Sequence, residues 1–211
     1  MGKLAPTVTI SLALIAGAAL SVDRATAIGT VKPGAPAPTF TARDIAGRTV
    51  NLGDYAGKIV ILEWTNDGCP FVGKHYNSGN MQALQRKYIG EGDVWLTIAS
   101  SAPGEQGYVT PAEAKADLDR WRAAPTDFLL DSDGMVGRLY DARATPNMVV
   151  IERDGTIAYM GAIDDTPSTR LADVKTAKNY LVAALDEIAA GKPVTVAATH
   201  AYGCSIKYKG T

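Results

Sequence analysis

The chain has 211 residues, of which 46% are hydrophobic, and a formal net charge of −1 at pH 7. This composition suffices for one globular domain of ordinary size with a buried core. The 21 basic residues are balanced by 22 acidic ones and form no basic tract. The sequence therefore excludes an electrostatic nucleic-acid-binding surface, and we expect no nucleic-acid partner.

The first 27 residues have the pattern of an export signal rather than of a folded domain. Lys3 supplies an early positive charge, an apolar run follows over residues 8–20, and small residues precede a cleavage site after Ala27. The run is short for a membrane span, which needs roughly 20 apolar residues. We expect a cleaved signal peptide over 1–27, a periplasmic or secreted mature protein, and no membrane association after cleavage. An uncleaved anchor is the alternative.

The first half of the chain predicts a β-hairpin followed by a strand, a helix and a second strand. The hairpin is expected over residues 40–52, after a lead-in rich in Gly and Pro. Residues 59–64 are apolar at nearly every position, which is typical of a strand covered on both faces. A helix is expected to begin after Cys69 and to continue to about Tyr88. Residues 94–100 predict the second buried strand.

The second half predicts two further helices and another hairpin. Thr110 to Glu113 form a capping box with Pro at the first helical position, which is a strong helix start. Residues 147–152 and 156–160 predict two strands joined by a tight turn. Residues 169–190 carry an apolar stripe at helical spacing and predict one long amphipathic helix. The remaining residues, 191–211, predict an irregular tail.

Cys69 lies between a buried strand and a helix start, which favours a reactive thiol. The unpaired N–H groups and partial positive charge of a helix N-terminus stabilise a thiolate, and the thiolate is the nucleophile. Pro70 suits the first helical position because its missing N–H would have no partner there. His75, six residues beyond the cysteine, is off the same helical face. We expect it to face solvent rather than to act as a catalytic partner.

The sequence contains two cysteines, Cys69 and Cys204, and these permit one intramolecular pairing in an oxidising compartment. Three interpretations of Cys204 are open. A mobile tail could bring it to Cys69 as a resolving thiol, it could form a permanent structural disulfide with Cys69, or it could stay a free thiol. The cysteine count does not choose among these alternatives. Two Cys and two His are too few for a typical Cys/His metal site, so we expect no metal and no cofactor.

The predicted order of elements implies an α/β fold with a mixed sheet and helices on both faces. A resemblance to a known family is carried by the Cys69 turn, the Ala144-Thr145-Pro146 triplet and the entrance segment GAPAPTFTARDIAGRTVNLGDYAGKIVILEW. By these features the chain resembles the redoxin branch of the thioredoxin fold, the AhpC/TSA and TlpA-like proteins. The segments CPFVGKH, TPNMVVIERDGTIAYMGAIDD and GCSIKY are similar to a peroxiredoxin-like subgroup. The resemblance implies a thioredoxin-like three-layer α/β/α sandwich with an N-terminal β-hairpin extension over 28–190 and a C-terminal tail over 191–211.

The same resemblance implies the layout of a site. Cys69 matches the nucleophilic cysteine, and Pro146 matches the cis-proline that faces its sulfur. A cis bond would turn the backbone of Thr145 outward, so that its N–H and C=O hold an extended substrate chain beside the thiol. Trp64 and Phe71 would supply an apolar wall together with Pro146.

Two departures from the family pattern bear on the chemistry. Val72 stands where thioredoxins carry their second cysteine, so the chain has no local dithiol. Asn66 stands where peroxiredoxins carry the Thr that polarises a peroxide, and its amide can still donate a hydrogen bond. Asn66 is therefore a candidate substrate-binding residue together with Thr145 and Pro146, and specificity for peroxide stays open.

The leading hypothesis is an exported redoxin in which the Cys69 thiolate attacks a disulfide or a peroxide oxygen. Cys204 or an external thiol then resolves the product. The expected partners are a thiol or disulfide protein or a peroxide substrate, and an external reductant. The alternative is a non-catalytic binding or structural protein on the same scaffold, stapled by a Cys69–Cys204 bond. A lipid- or metal-carrying partner domain has no positive feature in the sequence.

Overall fold

The computed structural model describes residues 1–2 and 31–210 of the chain. The predicted signal peptide over 1–27 and the start of the domain at residue 28 lie outside these residues, apart from the first two positions. Cleavage after Ala27 therefore stays a prediction. In the described part of the chain, no helix is both long enough and apolar enough to cross a bilayer.

Within the described residues the chain forms nine strands and five α-helices. The strands are β1 (Thr41–Asp44), β2 (Thr49–Asn51), β3 (Val60–Trp64), β4 (Val94–Ala99), β5 (Asp127–Leu130), β6 (Ala144–Thr145), β7 (Asn147–Ile151), β8 (Ile157–Gly161) and β9 (Cys204–Ser205). The helices are α1 (Pro70–Asn77), α2 (Asn80–Gly90), α3 (Pro111–Trp121), α4 (Met135–Leu139) and α5 (Tyr180–Ala189).

Seven strands form one mixed sheet in the order β2-β1-β5-β4-β3-β7-β8. β3, β4 and β5 run parallel to one another, whereas β7 and the hairpin β1–β2 pair antiparallel with their neighbours. Every residue of β3, β4 and β7 is buried, because helices and loops cover both faces of the central strands. The predicted α/β class, the mixed sheet and the N-terminal hairpin are confirmed.

The two faces of the sheet carry separate core layers. On one face, Ile61 packs in a cluster with Val72 of α1 and Leu181 of α5. On the other face, Leu62 packs in a cluster with Val136 of α4. Because neighbouring residues of a strand point to opposite faces, this single strand supplies both layers. The three-layer α/β/α arrangement follows.

The helix after Cys69 is shorter than predicted, because it is interrupted between Asn77 and Asn80. α1 ends at Asn77, and Gly79 adopts the left-handed conformation (φ 77°) that a residue with a Cβ rarely takes. α2 begins at Asn80. The single helix expected to continue to Tyr88 is therefore wrong.

The long helix predicted over 169–190 is also wrong. Residues Leu171–Lys175 form a 3-10 turn, and Leu171, expected in the apolar stripe, is 47% exposed. α5 begins only at Tyr180, because the side chain of Asn179 accepts the N–H of Val182 and caps the helix. The capping box at Thr110, by contrast, is confirmed as the start of α3.

Candidate active site

Cys69 is the N-terminal cap residue of α1, and Pro70 occupies the first helical position as predicted. The turn before it is closed by a 3.0 Å hydrogen bond from the Cys69 N–H to the Asn66 carbonyl. Cys69 is 1% exposed, and its sulfur lies 3.2 Å from the carbonyl oxygen of Thr145. The strand β3, the turn and the helix therefore aim the thiol at the segment that contains Pro146.

The peptide bond between Thr145 and Pro146 is cis, as the resemblance implies. The main chain of Thr145 is paired with a strand of the C-terminal tail. β9 runs antiparallel to β6, and Cys204 is the partner of Thr145 in this pairing. The structure thus brings Cys69, Thr145, Pro146 and Cys204 together, and residues 191–211 are not irregular throughout.

Both cysteines carry free thiols, and they interact with each other. Burial raises the pKa of the Cys69 thiol, but hydrogen bonds from the Cys204 thiol and the Val72 N–H outweigh burial, so the pKa is lowered. Burial and the neighbouring Cys69 sulfur raise the pKa of Cys204 to about 12. Of the two thiols, Cys69 is therefore the more acidic.

Val72 stands where thioredoxins carry their second cysteine, and its N–H contributes to the lowered pKa of Cys69. Its N–H, which belongs to the first turn of α1, stabilises the Cys69 thiolate. An unpaired N–H at a helix start is available for this contact because it has no partner within the helix. The first turn of α1 therefore places a backbone N–H near Cys69 but no second thiol.

Asn66 lies three residues before Cys69, and its side chain is buried. It is 2% exposed and has no hydrogen-bond partner among the described residues, the Cys69 sulfur included. The amide instead lines a cavity of about 10 Å³ with Thr65 and Trp121, which is about the size of one water molecule. Substrate binding by Asn66 stays a prediction.

The apolar surroundings of the sulfur differ in part from the expected wall. Phe71 packs partly buried against the core layer that contains Cys69, and its ring meets the Tyr202 ring edge-on at 5.7 Å. Trp64 belongs to the layer on the opposite face of the sheet, where its Nε1 donates to Ser100. The expectation that Trp64 lines the site is wrong, because its position in β3 points it away from α1.

A buried polar cluster next to the site was missed from the sequence. Lys74 Nζ donates to Asp164 Oδ2 at 3.0 Å, to the Thr166 carbonyl at 2.8 Å and to the Tyr202 hydroxyl at 3.0 Å. Tyr202 in turn donates to the Asp164 carboxylate. Tyr202 belongs to the tail and lies two residues before Cys204. The lysine within CPFVGKH, one turn beyond the cysteine, was the signal that could have drawn attention to this cluster.

His75 is fully buried, so the expectation that it faces solvent is wrong. Its Nε2 lies 3.6 Å from Asp164 Oδ2, and its Nδ1 accepts from Asn80 at 3.0 Å. The segment around Asp164 and the tail cover the face of α1 that the sequence pattern left open. Burial and the nearby Lys74 charge lower the pKa of His75 to about 4, although Asp164 opposes this shift. His200 is exposed.

The described residues contain no group of three His, Cys, Asp or Glu side chains that could hold a metal ion. The site is therefore described by its two sulfurs, the backbone groups around them and the buried polar cluster beside α1.

The sequence model of the AhpC/TSA family matches residues 33–160, more than half of the chain. The chain belongs to the AhpC/TSA family. The match covers the hairpin, the Cys69 turn, the cis-proline and most of β8. The tail with Cys204 lies beyond it.

Solved structures share the fold. An uncharacterized conserved protein of Geobacillus kaustophilus is 24% identical with a TM-score of 0.72, covering 86% of this chain and 94% of that one. A hypothetical protein of Sinorhizobium meliloti 1021 is 22% identical with a TM-score of 0.71, covering 87% and 98%. The thioredoxin domain of a thiol-disulfide oxidoreductase of Bacteroides vulgatus is 18% identical with a TM-score of 0.50, covering 68% and 96%. No curated protein matches the sequence. This AhpC/TSA protein is a thioredoxin-fold redoxin.

Proposed function

We propose that this redoxin is an exported thiol oxidoreductase that cycles between a Cys69/Cys204 dithiol and a Cys69–Cys204 disulfide. The observation that carries the proposal is the placement of two free thiols at Thr145: the Cys69 sulfur lies 3.2 Å from its carbonyl oxygen, and Cys204 is its partner in the β6–β9 pairing. The pKa of Cys69 is lowered and that of Cys204 is raised. Such an asymmetry suits a nucleophile and a resolving thiol. In this proposal the mature chain begins after Ala27, and the tail over 191–211 is part of the active site.

With a disulfide substrate, the Cys69 thiolate attacks one sulfur and forms a mixed disulfide, and the other sulfur leaves as a thiolate. Cys204 gives up its proton and displaces the remaining substrate sulfur from Cys69, so that the Cys69–Cys204 disulfide forms and a second thiol leaves. The substrate gains two electrons and two protons and becomes two thiols. The protein loses the same two electrons, and an external thiol reductant returns them.

With a hydroperoxide, the Cys69 thiolate attacks the terminal oxygen and the O–O bond breaks. Cys69 becomes a sulfenic acid, and the other oxygen leaves as an alkoxide or hydroxide that takes up a proton to form an alcohol or water. The Cys204 thiol then attacks the Cys69 sulfur, forms the same disulfide and releases water. Membership of the AhpC/TSA family supports thiol-based chemistry of this kind. Both amide atoms of Asn66 lack a hydrogen-bond partner among the described residues, so in this proposal the amide is a candidate donor to a bound peroxide.

The experiment is oxidation of the reduced full chain by one equivalent of oxidised glutathione or hydrogen peroxide, followed by alkylation and peptide mass spectrometry. We expect a Cys69–Cys204 disulfide within the dead time of manual mixing. Cys204→Ser should stop at the glutathione adduct or sulfenic acid of Cys69, and Cys69→Ser should show no fast reaction. A Cys69 that reacts no faster than free cysteine would overturn the proposal.

The non-catalytic alternative makes a different prediction for the same disulfide. A structural staple has a low reduction potential and resists the glutathione pool, typically below about −300 mV. A redox-active Cys69–Cys204 disulfide has a higher reduction potential, so a buffer of reduced and oxidised dithiol should reduce it. Equilibration of the oxidised chain with mixtures of reduced and oxidised dithiothreitol therefore separates the two functions.

A further inference from the structure

We infer that the C-terminal tail occupies the strand-binding groove of the active site as an internal strand, so that the oxidants that reach Cys69 are small molecules rather than extended polypeptides. The inference rests on the proposed function, because it names the class of substrate that the Cys69–Cys204 pair accepts.

The first step is the pairing of the tail with the edge that a polypeptide substrate would need. β9 lies antiparallel to β6, with Ser205 opposite Ala144 and Cys204 opposite Thr145. The ladder continues with a 3.0 Å hydrogen bond from the Ile206 N–H to the Arg143 carbonyl. An extended partner would add to this edge through the same main-chain groups, so tail and partner exclude each other.

The second step is the close contact between the tail backbone at Gly203 and the main chain of Thr145. Gly203, directly before Cys204, has a φ of 127°, a conformation that L side chains rarely adopt. A β-carbon added there would overlap the carbonyl oxygen of Thr145 and would lie 3.4 Å from Cβ of Phe71. The tail backbone therefore approaches the site at a distance that only a glycine permits.

The third step is the anchoring of the tail before and after Cys204. On the N-terminal side, Tyr202 hydrogen-bonds both members of the buried Lys74–Asp164 pair. On the C-terminal side, Ile206 is buried, and the Ala102 N–H donates to the Lys207 carbonyl at 2.8 Å. Local opening around Cys204 can admit a small molecule, whereas a polypeptide must displace both anchors. Tyr202 is thus a positioning residue for Cys204.

The tail also has a concentration advantage over any free polypeptide. A strand tethered to its own binding edge has an effective concentration on the order of millimolar. A polypeptide at ~10 μM would therefore be outcompeted by roughly a hundredfold at Thr145. A small oxidant that needs no strand pairing does not meet this competition.

The test compares oxidation of the reduced full chain by oxidised glutathione with oxidation by an unfolded polypeptide that carries one disulfide. Gly203→Ala should lift the tail from Thr145, and Gly210→Ala is the matched control. Gly210 is also a tail glycine with positive φ, 79°, but an added β-carbon would meet nothing within 4 Å. We expect the polypeptide-to-glutathione rate ratio to rise at least about tenfold in Gly203→Ala and to stay at the wild-type value in Gly210→Ala.

Tyr202→Phe provides a second variant in case Gly203→Ala does not fold. It removes the hydroxyl that anchors the tail and should raise the same ratio while slowing closure of the Cys69–Cys204 bond after glutathione attack. Tyr55→Phe is its matched control, since Tyr55 donates to the Asp127 carboxylate at 2.8 Å by the hairpin. That control should change neither quantity.

The outcomes separate the two levels of the argument. If no Cys69–Cys204 disulfide forms with any oxidant, the proposed function fails and the inference fails with it. If the disulfide forms but wild-type protein, Gly203→Ala and Tyr202→Phe share one polypeptide-to-glutathione ratio, the inference is wrong while the redox function stands.

Discussion

Lys74 and Asp164 form an ion pair with 3.0 Å between Nζ and Oδ2, and their side chains are only 0% and 2% exposed. The pair joins α1, whose N-terminal cap residue is Cys69, to the segment that follows β8. Through the Tyr202 hydroxyl it also holds the tail that carries Cys204. A buried charge pair thus positions the two sulfurs relative to each other although it contacts neither one in the described geometry.

Removal of the Lys74 ammonium should destabilise the fold strongly. Lys74→Met leaves the Asp164 carboxylate buried without its cation, and breaking a buried pair in this way costs about 3–5 kcal/mol. Urea unfolding measures the loss. Lys115→Met is the matched control, because Lys115 pairs with Asp119 at the surface, where both side chains are 69% exposed and the loss should stay below about 1 kcal/mol. Equal effects of the two substitutions would contradict this assignment.

The acidity of Cys69 should depend on the group at position 204. Because the Cys204 side chain contributes to the lowered pKa of Cys69, Cys204→Ala should raise that pKa, whereas Cys204→Ser keeps a hydroxyl donor and should keep it low. The alkylation rate of the one remaining cysteine, followed with iodoacetamide between about pH 5 and pH 10, gives both values. Below its pKa the thiol is protonated and the rate falls. Coincident midpoints for the two variants would show that Cys204 does not stabilise the thiolate.

His75 should make the fold less stable in mild acid. Its pKa is lowered to about 4 in the fold, against an ordinary value of 6.5 in the unfolded chain. Between these two pH values, His75 is protonated in the unfolded chain but stays neutral in the folded protein. Stability is therefore complete above pH 6.5 and falls as the pH falls toward 4, by about 3 kcal/mol in total.

The variant His75→Asn isolates this contribution, because the difference between wild type and variant cancels the other groups that titrate in the same range. Unfolding free energies at several pH values should show the wild type losing about 3 kcal/mol relative to the variant on acidification. His200→Gln, at an exposed position, should follow the wild type. A pH-independent difference between wild type and His75→Asn would mean that His75 is protonated equally in both states.

Glu63 should be needed for stability even though burial raises its pKa. Its carboxylate accepts hydrogen bonds from four buried side chains: Tyr76, Gln85, Trp95 and Thr97. Glu63→Leu leaves Tyr76, Trp95 and Thr97 without this acceptor, whereas Gln85 keeps its contact with the Tyr76 hydroxyl. At about 1–3 kcal/mol for each unpaired donor before relaxation, we expect a loss of at least about 3 kcal/mol. Glu91→Leu, at a 53% exposed side chain, should change stability little. Chemical denaturation of both variants tests this, and a small loss in Glu63→Leu would show that the donors find other partners.

Much of the fold could be predicted because its signals are local. The capping box at Thr110, the proline after Cys69 and the apolar run of β3 each act within a few residues of where they occur. The two helix errors have the same origin. Gly79 and Asn179 interrupt helices whose apolar periodicity continues across them, and the interruption depends on where each segment packs.

The sequence by itself determined the α/β class, the family, the place of Cys69 at a helix start and the cis-proline segment that faces it. Only the tertiary structure decided that Cys204 pairs with Thr145, that His75 is buried and that Lys74, Asp164 and Tyr202 form one cluster. The physical reason is separation along the chain. Local conformation depends on residues three or four positions apart, whereas burial of a charge depends on a partner that lies 90 positions away in the sequence.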